Sequence, residues 1–253
     1  MNRINLKLQE DKKIFSVYFT AGYPELNDTT KIIKELERNG VDMIEIGFPF
    51  SDPLADGAII QESSLKALNN GITTSILFEQ LTKIRNEVQI PLIIMGYFNP
   101  ILQFGVEEFC KKCEEVGIDG LIIPDLPLRV YKNEYASLFE KYNLKNIFLI
   151  TPETSIERIL EIDAFSKSFI YLVSSSSTTG NLSNFNQEQS NYFKRIKDLN
   201  LKNEQIVGFG ISNKESFNVA TTHQKGAIIG SAFIKHLNKS GVKDISSFVK
   251  SII

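Results

Sequence analysis

Two cysteines and two histidines are all the chain of 253 residues holds of the side chains that most often bind zinc or pair in nucleophilic catalysis. Cys110 and Cys113 stand in a C-x-x-C spacing, which suggests a redox pair or half of a zinc site. Both fall with Val106, Phe109 and Val116 on one apolar stripe of a helical pattern, and no second ligand pair exists, so packing is the expected role. His223 and His236 follow no strand-like run, so a Ser-His-Asp triad and a histidine zinc site both lose support. An excess of either charge is also missing: 28 lysines and arginines face 30 acids, a formal net charge of -2, and no polyanion is attracted overall. Any anion must be caught locally. No apolar run is long enough to cross a bilayer, and Met1 to Lys13 lacks the apolar core of a secretory signal, so a cytoplasmic protein is expected. Without a Pro/Ser-rich linker or a break in composition, one domain over 1–253 is the economical division.

What is present is a repeat of short apolar runs, each followed by a polar turn and a helical pattern. The runs are Ile14–Phe19, Met43–Ile46, Leu92–Met95, Leu121–Ile123, Ile147–Ile150, Phe169–Val173, Ile206–Phe209 and Ala227–Ile229. Near-continuous apolar strands occur where both faces are buried, as in a barrel wall with side chains inside and helices outside. Eight such units predict a parallel (β/α)8 TIM barrel, with an open doubly wound sheet as the alternative. The spacing predicts helices over Asn27–Gly40, closed by a glycine suited to a left-handed cap, and over Thr73–Val88. The stretch before the first strand is short, which predicts a bottom of the barrel less covered than in longer relatives.

In such a barrel the reacting groups come from the C-terminal ends of the strands. Glu45 lies in the second run, on the face opposite Ile44 and Ile46, so if the isoleucines face the helices it points into the barrel mouth. A carboxyl there is desolvated, its pKa rises, and it suits general acid and base work. A salt-bridged structural glutamate is the competing reading. The long loop that follows, Phe48–Gly57, is rich in proline and acid. Asp52 before Pro53 reads as a turn former, whereas Asp56 can fold back toward Glu45. Gly208-Phe209-Gly210 after the seventh run and Gly230-Ser231 after the eighth, just ahead of a helical stretch, fit a phosphate held on backbone N–H groups. Ser231 adds a hydroxyl, and Thr179-Gly180 in the polar loop after the sixth run can complete the cradle; that loop has the makings of a lid. Tight-turn roles for these glycines stay open.

Taken together, these residues resemble the alpha subunit family of tryptophan synthase over nearly the whole chain. The segment Ile44 to Gln61 is similar to the family's signature, and Gly208-Phe209-Gly210-Ile211-Ser212, Gly230-Ser231-Ala232, Tyr97-Phe98-Asn99-Pro100 and Pro124-Asp125-Leu126-Pro127 match its other motifs. The resemblance implies retro-aldol cleavage of indole-3-glycerol phosphate to indole and glyceraldehyde 3-phosphate, with no cofactor in this chain. It implies that Glu45 moves the protons and Asp56 binds the indole N–H, and that Tyr18, Tyr97, Tyr171 and Phe209 line the pocket. Gly180, Gly210, Gly230 and Ser231 then hold the phosphate. It further implies a pyridoxal phosphate-carrying beta subunit in an α2β2 complex, with indole passed internally, and the segment Pro49–Asp56 and the loop after the sixth run as communicating surfaces. Many members carry an arginine where this chain has Ser174 to Ser177. Phosphoribosylanthranilate isomerase and indoleglycerol-phosphate synthase share the phosphate loops but not the stretch from Glu45 to Asp56; a non-catalytic regulatory subunit is the remaining alternative.

Overall fold

A computed structural model of the chain describes residues 1–54, 56–174 and 187–253. Eight parallel strands close into a barrel in chain order: β1 (Ile14–Thr20), β2 (Met43–Gly47), β3 (Leu92–Met95), β4 (Gly120–Ile122), β5 (Lys145–Ile150), β6 (Ile170–Val173), β7 (Gln205–Gly208) and β8 (Gly226–Ile229), which pairs back to β1. The helices that carry the argument are α1 (Arg3–Leu8), ahead of the barrel, and α2 (Thr29–Arg38), α3 (Ala58–Asn69), α4 (Thr74–Leu81), α5 (Phe98–Phe104) and α6 (Val106–Val116). After them come α7 (Leu128–Val130), α8 (Ala136–Lys141), α9 (Ile156–Phe165), α10 (Gln187–Asp198), α11 (Lys214–Thr221), α12 (Ser231–Ser240) and α13 (Ile245–Lys250). Among the described residues no helix is long and apolar enough to cross a membrane.

Strand alternation sorts the side chains into two apolar layers. Val17, Phe19, Ile44, Ile46, Leu92 and Ile94 pack outward under the helices, whereas Ile14, Tyr18, Met43, Ile93 and Met95 fill the barrel. Every second residue of a strand shares a face, so Glu45, two residues from Met43, belongs to the inner wall. The register agrees: Glu45 stands beside Tyr18 on β1 and Ile93 on β3, both inward-facing. Outside, Cys110 and Cys113 on α6 are buried, and burial pushes both thiols up, Cys110 to about 12. Held protonated, they pack as small apolar groups, as the stripe on that helix predicts.

The leading stretch reaches the bottom of the barrel. Asn2 caps α1 by accepting from the Ile4 N–H, and its amide donates to the carbonyls of Asp119 and Asn143. This aims the fully buried Ile4 into the barrel, where the missing side chain of Gly120 leaves it room: an added Cβ would lie 2.8 Å from its Cδ1. The helix expected over Thr73–Val88 also ends early, at Leu81, with a short 3-10 turn over Ile84–Asn86. Arg85 lies in that turn. Its guanidinium turns back to donate to the carbonyls of Gly117, Val88 and Ile90, and pairs with Asp119 at 2.6 Å.

Asp119 is buried and takes Arg3, Arg85 and the Leu92 N–H on its two oxygens, which ties α1 to the bottom of β3. Removing one partner of a buried ion pair leaves the other charge uncompensated. Asp119→Ala is therefore expected to lower stability by about 3 kcal/mol. Urea unfolding reads this as a lower midpoint, while turnover at low denaturant stays near that of the unaltered chain because the site lies at the opposite end.

Candidate active site

Glu45 has no exposed surface, and neither carboxyl oxygen has a hydrogen-bond partner among the described residues. That removes the salt-bridged reading. Buried carboxyls are almost always paired, so an orphaned one at the mouth of a barrel is a candidate for a functional role. Burial pushes its pKa up to about 8. At neutral pH the side chain is therefore mostly a neutral acid, able to give a proton, and a slightly more polar surrounding turns it into a base.

The loop after β2 brings Asp56 to the same mouth. It leaves β2 with the Phe48 N–H on the Met95 carbonyl, turns at Asp52-Pro53, and is pinned to α3 by Gln61, whose amide donates to the carbonyls of Pro53 and Asp56. Asp52 itself is exposed, as a turn former should be. Asp56 is half-buried and accepts a long hydrogen bond of 3.4 Å from the Tyr97 hydroxyl, while the Tyr97 ring lies 5.3 Å from that of Phe50. Burial raises the Asp56 carboxyl to about 6, and the Tyr97 bond works the other way. The two carboxyls thus differ in kind: near pH 7 Asp56 is mostly charged and Glu45 mostly neutral. Such a split separates an electrostatic role from a proton-transfer role.

Two tyrosines close the pocket. Tyr18, 7% exposed, and Tyr171, 3% exposed, both face inward, and burial holds both phenols well above their ordinary pKa. Asp56, and Glu45 once it ionises, push them the same way, as they must if the four groups lie close together. The rings explain three glycines. A Cβ on Gly47 would lie 2.1 Å from the Tyr18 hydroxyl, one on Gly208 would lie 1.9 Å from that of Tyr171, and one on Gly230 would meet the Tyr18 ring at 3.3 Å. Gly208, read from the sequence as part of a phosphate turn, is instead the last residue of β7 and gives Tyr171 its space. Ile60 of α3, Met95, Leu149 and Val173 belong to or pack against the same inner apolar cluster as the two tyrosines, and the sequence reading missed them. Alternation along β3, β5 and β6 could have found the last three, since each follows an inward residue by two.

The phosphate candidates lie at the same end, because all strands run parallel. The strand expected to reach Phe209 stops at Gly208, since Phe209 turns to a left-handed φ of +69° and Gly210 follows at +74°. The Phe209 ring packs edge-on against Tyr171, with centroids 6.2 Å apart, and the Gly210 backbone is exposed. Across from it, α12 begins at Ser231 behind Gly230, which offers no side-chain cap, so the first-turn N–H groups of this helix of ten residues are open to an anion. The φ of Gly230 is -114°, so room for Tyr18, rather than a left-handed turn, accounts for this glycine. Thr179 and Gly180 lie outside the described residues. Neither histidine approaches: His223 is exposed beside Lys197, and His236 packs on Phe248.

Comparison with known proteins agrees with the family resemblance. The family model described as tryptophan synthase alpha chain matches residues 4–252. A tryptophan synthase alpha chain from Flavobacterium psychrophilum is 69% identical, covering 100% of both chains, and one from Bacteroides thetaiotaomicron is 56% identical over 94% of each. Among solved structures, tryptophan synthase subunit alpha from Legionella pneumophila superposes with a TM-score of 0.89 at 30% identity, over 100% of this chain and 97% of that one. A chain of the tryptophan synthase complex from Pyrococcus furiosus gives 0.84 at 31% identity, over 95% and 98%. With the signature carboxyls seated in the barrel mouth and the match running nearly end to end, the chain belongs to the tryptophan synthase alpha chain family.

Proposed function

We propose that this chain cleaves indole-3-glycerol phosphate to indole and glyceraldehyde 3-phosphate, with Glu45 moving the protons and Asp56 supplying fixed negative charge. The observation that carries it is the buried Glu45 carboxyl, unpartnered among the described residues and with its pKa pushed up to about 8. The neutral acid gives its proton to C3 of the indole, and positive charge develops toward the ring nitrogen. Asp56, ionised near neutral pH, accepts the ring N–H there and stabilises that charge. Glu45, now a carboxylate, takes the proton from the hydroxyl on the carbon bonded to C3. The O–H electrons form the aldehyde, the carbon–carbon bond breaks, and its electron pair restores the aromatic ring. One proton leaves Glu45 and one returns, so the group ends as it began.

Tyr18, Tyr97, Tyr171 and Phe209 wall the indole, an apolar ring with one donor, and the inner residues Ile60 and Leu149 extend that surface. Gly210, Gly230 and Ser231 offer backbone N–H groups to the phosphate, with Thr179 and Gly180 as further candidates from the segment after β6. These steps draw on side chains of this chain alone; pyridoxal phosphate belongs to the proposed partner. That partner is a beta subunit in an α2β2 assembly that receives the indole. The loop that carries Asp56 is proposed as a contact surface, with Leu54, 89% exposed, on it. A single domain over 1–253 and a cytoplasmic location complete the proposal. A purely regulatory subunit has no use for an orphaned Glu45. Incubation with indole-3-glycerol phosphate is expected to release indole and glyceraldehyde 3-phosphate in equal amounts, and no indole at micromolar enzyme would overturn the assignment. Co-elution with a beta subunit at micromolar concentration tests the partner.

A further inference from the structure

Ser174 is fully buried just past the end of β6, and both its polar groups reach across to the end of β7. Its N–H donates to the Gly208 carbonyl at 3.1 Å and its hydroxyl donates to the Phe209 carbonyl at 2.7 Å. Phe209 is one of three non-glycine residues with positive φ among the described residues, and such a conformation persists only where its surroundings over-determine it. The peptide that joins Phe209 to Gly210 is planar and trans, so its C=O and N–H point in opposite directions. A bond that fixes the Phe209 carbonyl therefore fixes the direction of the Gly210 N–H.

We infer that Ser174 is a positioning residue for phosphate binding: it never touches the ligand, but its hydroxyl holds the Phe209–Gly210 peptide so that the Gly210 N–H faces the phosphate. The inference rests on the proposed assignment of Gly210 to the phosphate. The serine acts on the phosphate end of the pocket through the Gly210 N–H and reaches the indole end only through the backbone of Phe209, whose ring packs on Tyr171.

Ser174→Ala removes the hydroxyl without adding bulk. Loss of one hydrogen bond of ordinary strength is expected to raise KM for indole-3-glycerol phosphate, and the inhibition constant of glycerol 3-phosphate, about five- to tenfold. Inhibition by indole is expected to change much less than inhibition by glycerol 3-phosphate, and kcat at saturation to move far less than KM. Circular dichroism and thermal unfolding confirm that the variant is folded. If the two probes weaken together, or if glycerol 3-phosphate inhibits the variant as it does the original chain, the positioning role is overturned while the phosphate site stands. If glycerol 3-phosphate fails to inhibit the original chain, the phosphate assignment itself falls, and this inference with it.

Discussion

Glu45→Gln is expected to abolish indole release while leaving the substrate's dissociation constant close to that of the original chain. The amide keeps the size and shape of the carboxyl, so the pocket stays intact, but it neither gives a proton to C3 nor takes one from the hydroxyl. General acid–base catalysis by one positioned group contributes about 10²–10⁴-fold, and here one group serves both transfers, so the loss is expected at the upper end of that range. Single-turnover assays of indole, alongside calorimetric binding of the substrate, separate the two effects. Substantial turnover in the variant would remove Glu45 from the mechanism.

The same substitution carries a stability signature with a definite sign. Folding raises the Glu45 pKa from the ordinary 4.5 to about 8, so the folded chain holds this proton more tightly than the unfolded chain does. The contribution is fully present below about pH 4.5 and is lost as pH rises through 8. Glutamine has no such dependence. The melting temperature of Glu45→Gln is therefore expected to gain on that of the original chain between pH 5 and 8, and a constant difference over that range would contradict the burial argument.

Asp56→Asn is expected to lower kcat by about 10²–10³-fold, the usual cost of removing one preorganised group aimed at developing charge. Asparagine still accepts a hydrogen bond from the ring N–H, so KM is expected to change much less than kcat. A rate near that of the original chain would move the electrostatic role elsewhere in the mouth. Because Asp56 stands at about 6, the original chain should lose activity as acid protonates it, and this acid limb is expected to vanish in the variant.

The barrel was legible because its wall is written in short apolar runs, and all eight strands lie where those runs are. Their edges were not. Gly120, Lys145, Gln205 and Gly226 join the ladder through backbone pairing that hydropathy does not report, and Phe209 leaves it because of a left-handed φ. Alternation alone placed Glu45 on the inner wall, since a period of two fixes facing once Ile44 and Ile46 are known to lie outside. What alternation cannot say is whether an inward carboxyl finds a partner; that depends on side chains from elsewhere in the chain, and among the described residues none arrives. The Tyr97–Asp56 bond spans 41 residues, and the Ser174–Phe209 bond spans 35. Long-range pairs of this kind decide the pKa of a carboxyl and the direction of an N–H, and they exist only once the barrel has closed. Gly208 shows the same limit from the other side. In the sequence it reads as one more glycine near a phosphate turn, and only the Tyr171 ring reveals why a side chain is excluded there.

The account depends most on a neutral Glu45 that gives up its proton to begin the reaction, and the pH dependence of kcat/KM for indole release between pH 5 and 10 tests it most directly. The expected profile is a bell, with an acid limb near 6 from Asp56 and an alkaline limb near 8 from Glu45. Activity that stays level from pH 7 to pH 10 would contradict it, because a glutamate already ionised at neutral pH has no proton to give.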